Sequence, residues 1–312
     1  MKPAGSIVFF TVASGAGYGL LVWLGLLAGT GLLRITVGGL LLAQGLALAL
    51  VTAGLCSSLL HLGHAERAWR ALSQWRSSWL SREGVAAVLT YLPVLGAAAA
   101  VYAGAYPLAV ALGVMGAVCA LATVYCTSMI YASLKPIKEW SHPLVPAGYV
   151  VLALFSGAAL LAPLLALLGG DSGMPALQVL IFGALAAGLK WQYWRSIDTA
   201  RPLATLESAT GLGRIGATKP LDPPHTQSNY LMREMGFRVA RKHANKLRAL
   251  TLWGGLLAPA GLAALSLGAA SPMVAALPLV LGLLLAVAGM LLERWLMFAE
   301  ATHTVTLYYR GN

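Results

Sequence analysis

Two neighbouring stretches hold most of the residues with chemistry to offer. One reads His61-Leu-Gly-His64-Ala-Glu66-Arg67-Ala-Trp69-Arg70, and the other runs from Ser73 through Trp75 and Trp79 to Arg82-Glu83. Imidazoles, carboxylates, guanidiniums and indoles thus converge on one short segment. Imidazole titrates near neutral pH and serves as hydrogen-bond donor or acceptor. A carboxylate beside it relays protons, and a guanidinium steadies negative charge as that charge develops. Such a set suits a quinone, whose carbonyl oxygens need donors, whose ring needs protons, and whose tail needs an apolar wall. His61, His64, Arg67, Trp69, Trp79, Arg82 and Glu83 are the candidates. The same residues also fit a charged turn whose long side chains snorkel at a lipid boundary. The residue types alone leave both readings standing.

The elements that must position this segment are apolar. Of 312 residues, 59% are hydrophobic and 10% charged, with mean hydropathy +0.77. A soluble domain carries about 25% charged residues, so most of this surface faces lipid. Disorder is excluded by the same composition, and three cysteines cannot make a disulfide scaffold. A helix needs roughly 20 apolar residues to cross the hydrocarbon core. Long uncharged runs fall at about 5–29, 36–60, 85–106, 108–133, 144–168, 174–190, 249–270 and 273–296. The chain therefore reads as an all-α integral membrane protein, a single domain over 1–312, built as a bundle of eight transmembrane helices. The first run is longer than the core of a signal peptide and follows only Lys2, so it reads as a span.

Eight spans put both termini on one side, with the connections 61–84, 134–143 and 191–248. Of the 21 Lys and Arg, 20 fall there and only Arg34 falls opposite. The positive-inside rule makes that side cytoplasmic, and the expected location is a bacterial inner membrane. Because the net charge of +11 follows the membrane sides, it does not indicate nucleic acid. Most tryptophans lie near the same edge, as an interfacial belt would. The long connection, 191–248, is rich in Gly, Pro and Thr at first. It then becomes a basic amphipathic helix carrying Arg238, Arg241, Lys242, Lys246 and Arg248. Such a helix rests on anionic headgroups or docks a partner protein.

Other motifs carry less. Gly211-Leu-Gly213-Arg-Ile-Gly216 matches a dinucleotide fingerprint but lacks its strand and βαβ unit. Gly15 to Gly19 and Gly25 to Gly29 read as small-residue faces for helix contact. Cys56, Cys119 and Cys126 read as small core residues, and no metal site is expected. No histidine sits mid-span, and the span interiors offer only hydroxyls and amides such as Gln44, Thr52 and Thr123. A stand-alone transporter is therefore poorly supported. Haem at the membrane edge, held for example by His61 and His142, is the other alternative and would make the chain a cytochrome b-type anchor.

Several segments together resemble the membrane anchor subunit of the dimethyl sulfoxide reductase family. They are Pro3-Ala-Gly-Ser-Ile-Val-Phe-Phe-Thr11, His61-Leu-Gly63 with Arg67-Ala-Trp-Arg70, and Trp75-Arg-Ser-Ser-Trp-Leu-Ser-Arg-Glu83. Met129-Ile-Tyr131, Ala209-Thr-Gly-Leu-Gly213, Pro224-His-Thr226 and His243-Ala with Lys246-Leu-Arg248 extend the likeness over nearly the whole chain. The resemblance implies an anchor without haem or catalytic centre of its own. It binds an Fe–S electron-transfer subunit, which contacts a molybdopterin catalytic subunit, and it exchanges electrons with ubiquinone or menaquinone. The family's quinol-site histidine falls on His61 and its acidic partner on Glu83. The other candidates rest on proximity, and Arg238, Arg241, Lys242 and Lys246 are the expected docking residues. A member whose partners face the cytoplasm is similar to the anchor of the sulfite-oxidising molybdoenzyme.

Overall fold

The computed structural model describes residues 3–30, 32–60, 64–200, 202–219, 221 and 242–308. Among these, eight helices are long and apolar enough to cross a membrane, and no strand is formed. They are α1 (Gly5–Leu27), α2 (Val37–Leu59), α3 (Trp79–Tyr102), α4 (Tyr106–Ala132), α5 (Leu144–Leu167), α6 (Gly173–Thr199), α7 (Ala244–Ser266) and α8 (Pro272–Ala299). The chain is an all-α integral membrane protein, as its composition requires.

Local chemistry sets the helix ends. Thr36 Oγ1 accepts from Gly39 N at 3.1 Å to open α2, and Ser271 Oγ accepts from Val274 N to open α8 with Pro272 behind it. Past α3 and α5 the chain turns at Gly104 and Gly169, both at φ +73°, a conformation that glycine adopts without steric cost. Within α7, Leu250–Leu257 is wound wide as a π-helix just ahead of Pro259, which brings no N–H to the helical ladder.

Two helices run further than their apolar runs. α3 starts at Trp79 rather than near 85, which draws Arg82 and Glu83 into its first turns. α6 continues to Thr199 rather than ending at 190, so Lys190, Trp191 and Trp194 are helical and the long connection begins only at residue 200.

The core sits around α1 and α5. α1 packs against α2, α4 and α5, and α5 in turn against α6 and α8. Small residues allow the close approaches. A Cβ built on Gly19 would lie 1.8 Å from the Ala153 carbonyl oxygen, and one on Gly25 would lie 2.2 Å from that of Gly113. Gly255 and Gly289 meet in the same way between α7 and α8. The expected small-residue faces are therefore contact faces, although Gly15 itself meets nothing within 4 Å. α2 leans on α1 through Gly17 and Gly54 and scarcely touches α3.

One end of the bundle carries both ends of the described chain and the connections that follow α2, α4 and α6, and it forms the basic face. The connection from α4 to α5 is clasped from several sides. Trp140 Nε1 donates to Met297 O at 2.9 Å, Tyr193 Oη donates to Glu139 O at 2.8 Å, and Thr302 N donates to Glu139 Oε2 at 3.1 Å. The belt reading of the tryptophans needs correction here. Trp69, Trp75, Trp191 and Trp253 are exposed, but Trp140 and Trp194 are buried in packing. The cysteines also differ from expectation, with Cys56 exposed and Cys119 and Cys126 half-buried, all three free.

Candidate functional site

Glu83 sits one turn into α3 and is 4% exposed. Its register explains this, because Ala87, Thr90, Val94 and Ala97 continue the same buried stripe against α4. Thr127 of α4 meets the carboxylate, its Oγ1 lying 2.5 Å from Glu83 Oε1 and 3.0 Å from the Thr123 carbonyl oxygen. One hydroxyl hydrogen serves only one acceptor at a time. With Glu83 ionised, Thr127 donates to it. With Glu83 protonated, the carboxyl donates to Thr127, whose hydrogen is then free for Thr123. Both protonation states are satisfied, which a proton carrier needs.

The neighbouring candidates divide into two groups. At the start of α3, Arg82 stacks 4.3 Å over the Trp79 ring and donates to the carbonyls of Trp75 and Arg76. Trp79 also meets Tyr125 edge to face. In the 3₁₀ segment Ala65–Gln74, His64 Nδ1 lies 3.0 Å from Glu66 Oε1, Arg67 approaches the same oxygen at 3.6 Å, and Trp69 is 67% exposed beneath Arg70. The segment packs on α3 through Leu72 near Gly84 and a hydrogen bond from Ser81 Oγ to Ala71 O. No hydrogen bond or ion pair joins the two groups among the described residues. His61 lies outside the described residues, as do Arg238 and Arg241. Of the docking candidates, Lys242 and Lys246 are described; Lys242 is exposed and Lys246 lies on the same short stretch at the start of α7.

The expectation that the span interiors hold only hydroxyls and amides is overturned. Besides Glu83, a buried ion cluster lies near the basic face between α6 and α8. Lys190 Nζ is 2.7 Å from Glu293 Oε1, and Arg294 Nη1 is 3.4 Å from Glu293 Oε2. The three residues are between 1% and 6% exposed. Arg294 stacks 3.8 Å over the Tyr149 ring of α5, and Lys190 lies over Tyr193 and Trp194. Further out, Arg248 grips Asp198 with two nitrogens and Glu300 with its Nε, so it is no headgroup-facing member of the basic stripe. Burial pushes the Glu300 carboxyl above its ordinary range against the opposing pull of Arg248.

His142, named above as an edge haem ligand, has both ring nitrogens engaged. Nε2 lies 2.9 Å from Ser196 Oγ, and Nδ1 accepts from Leu144 N at 3.2 Å. Partial burial, with Lys138 and Lys190 nearby, holds its pKa below the ordinary 6.5. Among the described residues no group of His, Cys, Asp and Glu is placed to hold a metal ion.

The cavities lie apart from one another. The largest, about 780 Å³, opens at the face opposite the basic one and is lined by Arg34, Asp171 and Ser172 among others. It is remote from Glu83. An apolar cavity of about 110 Å³ lies between α1, α2, α3 and α4, walled by Leu21, Leu24, Val94, Ala97 and Val101, with Gln44 at its side. Two water-sized voids of about 10 Å³ each adjoin the buried charges.

Eight apolar helices, a basic face with an exposed aromatic fringe, and buried carboxylates near it define a membrane protein with ionisable chemistry at one end. Residues 2–309 match the model of the DMSO reductase anchor subunit (DmsC) family, and the chain belongs to that family. Among relatives, the C-type subunit of the sulfite dehydrogenase of Allochromatium vinosum is 32% identical over 343 aligned positions, covering all of this chain and 99% of the relative. No solved structure matches the chain.

Proposed function

We propose that this chain is the quinone-reacting membrane anchor of a three-subunit molybdoenzyme that oxidises sulfite. Catalysis takes place in a molybdopterin partner, where sulfite and water give sulfate, two electrons and two protons. An Fe–S partner docked on the basic face carries the electrons one at a time. The anchor supplies the place where a quinone takes up those two electrons and two protons to become a quinol. The observation that carries this reading is Glu83, a buried carboxylate satisfied in both protonation states at the end of the bundle where the family's acidic quinol-site residue falls. His61 is its partner in this reading and donates a hydrogen bond to one quinone carbonyl. Arg82 and Arg67 steady negative charge on the ring, Trp79 and Trp69 flank it, and His64 is a further donor. The cavity among α1–α4 supports an apolar tail in that part of the bundle. Sulfite is favoured by the sulfite dehydrogenase to which the relative belongs, and by charge bias that makes the basic face cytoplasmic. The two engaged nitrogens of His142 count against haem at that position.

The test begins with gentle purification from native membranes. Co-purification with an Fe–S protein and a molybdoenzyme, without a haem Soret band, is expected. His61→Ala and Glu83→Gln should abolish sulfite-to-quinone turnover while sparing sulfite oxidation by a soluble dye. A chain that purifies alone, or one whose His61→Ala variant keeps full quinone turnover, would refute the reading. Fusion of a reporter to the carboxy terminus tests the orientation, and a periplasmic signal would remove the argument for cytoplasmic partners.

A further inference from the structure

Glu83 is shut away from bulk water by α4, yet in the quinone reading it must be reprotonated at every turnover. The interior offers a way in. Three buried polar atoms on the Glu83 side of the bundle accept or donate no hydrogen bond within the protein, namely Tyr18 Oη, Arg294 Nε and Glu293 Oε2. Leaving such groups unsatisfied costs about 1–3 kcal/mol each, more when charged. All three residues line the two water-sized voids. One void is bounded by Tyr18, Thr127, Tyr149 and Arg294, with Ser14 and Thr11 on its wall. The other is bounded by Tyr149, Lys190, Tyr193, Glu293 and Arg294. They share Tyr149 and Arg294, and each meets the requirement for an ordered water, which is room for one molecule and several polar partners.

We propose that these two voids bind water and, with the side chains between them, form an internal proton relay from the Lys190–Glu293–Arg294 cluster to Glu83. The relay rests on the quinone reading and deepens it. Its order is Glu83, Thr127 Oγ1, the first water, Tyr18 and Arg294, the second water, then Glu293 and Lys190. Arg294 stays charged throughout, since a guanidinium does not give up its proton in a protein. It orients the waters, while Glu293, Tyr18 and the waters move protons. At the outer end the charge of Glu300 reaches Lys190, and Glu300 joins Arg248 and the half-exposed Asp198 at the surface. Formal charge supports the coupling. Lys190, Glu293 and Arg294 together carry +1, and the ionised carboxylate of Glu83 across the bundle balances it. No net proton is made or lost in the relay. Each proton that leaves Glu83 for the reduced quinone is replaced from the basic face.

The experiment uses the intact complex in lipid nanodiscs, with sulfite as electron donor and either quinone or soluble dye as acceptor. Tyr18→Phe removes one hydroxyl and no volume of consequence. Lys190→Met combined with Glu293→Met removes both members of the pair, so neither charge is stranded. Each variant should lower quinone-coupled kcat by about tenfold or more, with KM for quinone and dye turnover unchanged and a larger solvent deuterium isotope effect. A purely structural role would not move that isotope effect. Wild-type quinone turnover with an unchanged isotope effect in both variants would overturn the relay and leave the quinone reading intact. A wild-type complex that reduces dye but never quinone would sink both. A cryo-EM map that resolves ordered water should show density in the two voids, and dry voids would refute the proposal independently.

Discussion

The α1–α5 crossing can be tested with one methyl group. In Gly19→Ala the new Cβ would lie 1.8 Å from the Ala153 carbonyl oxygen and 3.2 Å from Gly157 N. Real Cβ atoms essentially never come within 3.0 Å of such neighbours, and the obstacle is backbone, which cannot swing aside. The helices must therefore part by on the order of 1 Å, a gap that forfeits a quarter to a half of each dispersion contact across it. Leu20, Leu152 and Phe155 lie in that region at 0–1% exposure. A buried leucine makes roughly 40–60 contacts worth about 0.1–0.2 kcal/mol each. If only a fraction of these cross the seam, the loss is still about 3 kcal/mol for the group. The hydrogen bond from Trp23 Nε1 to Leu154 O, 2.8 Å long across the same crossing, adds about 1 kcal/mol if it breaks. The control is Gly45→Ala on α2, where the new methyl meets nothing within 4 Å. Replacing a helical glycine there should be neutral or stabilising by up to about 1 kcal/mol. Unfolding of the purified chain by SDS titration in mixed micelles measures both. A Gly19→Ala protein as stable as the Gly45→Ala control would refute the close crossing of α1 and α5.

Three further outcomes are expected. Thr127→Val removes the partner of Glu83 at nearly constant volume, so quinone turnover should drop at least about tenfold while dye turnover holds; unchanged quinone turnover would show the hydroxyl to be dispensable. Arg248→Met strands Glu300, 8% exposed, and should cost about 2–3 kcal/mol in SDS titration, whereas the half-exposed Asp198 should contribute no more than about 1 kcal/mol. His142 has a lowered pKa in the folded state, so the unfolded chain takes up its proton first. Stability should therefore be full above about pH 6.5, fall as pH drops below it, and level off once the folded-state pKa is passed. His142→Gln should flatten that fall, and thermal unfolding between pH 5 and 8 would reveal a slope that survives the substitution.

The spans were legible because hydrophobic length is a blunt signal that tertiary packing does not override. The burial of Glu83 was not, because Leu-Ser-Arg-Glu reads as polar loop and ends an uncharged run. A signal did exist. Counting backward along α3 from Ala97 through Val94, Thr90 and Ala87 lands on Glu83 with the same three- and four-residue spacing. The same extension along α6, from Val179 through Gly183 and Ala186, lands on Lys190, and along α8, from Leu279 through Gly282 and Ala286, on Glu293. Hydropathy windows stop at the first charge, whereas helical periodicity does not. That Lys190 would meet Glu293 across the bundle could not be read from either helix. Such pairing depends on how α6 and α8 cross, and that is set by glycines and alanines elsewhere along them.

The loose seam between α2 and α3 has a consequence for how affinity is measured. Midway along it Thr52 Oγ1 and Tyr91 Oη meet at 2.7 Å, and otherwise the two helices lean on α1 and α4 rather than on each other. A molecule dissolved in the hydrocarbon reaches the space between them by moving sideways, never passing through the aqueous phase. Its concentration at the door is then its mole fraction in the bilayer, fixed by partitioning and by how much lipid the assay contains. Doubling the lipid at constant total ligand halves that mole fraction and should double the apparent KM, although nothing in the protein has changed.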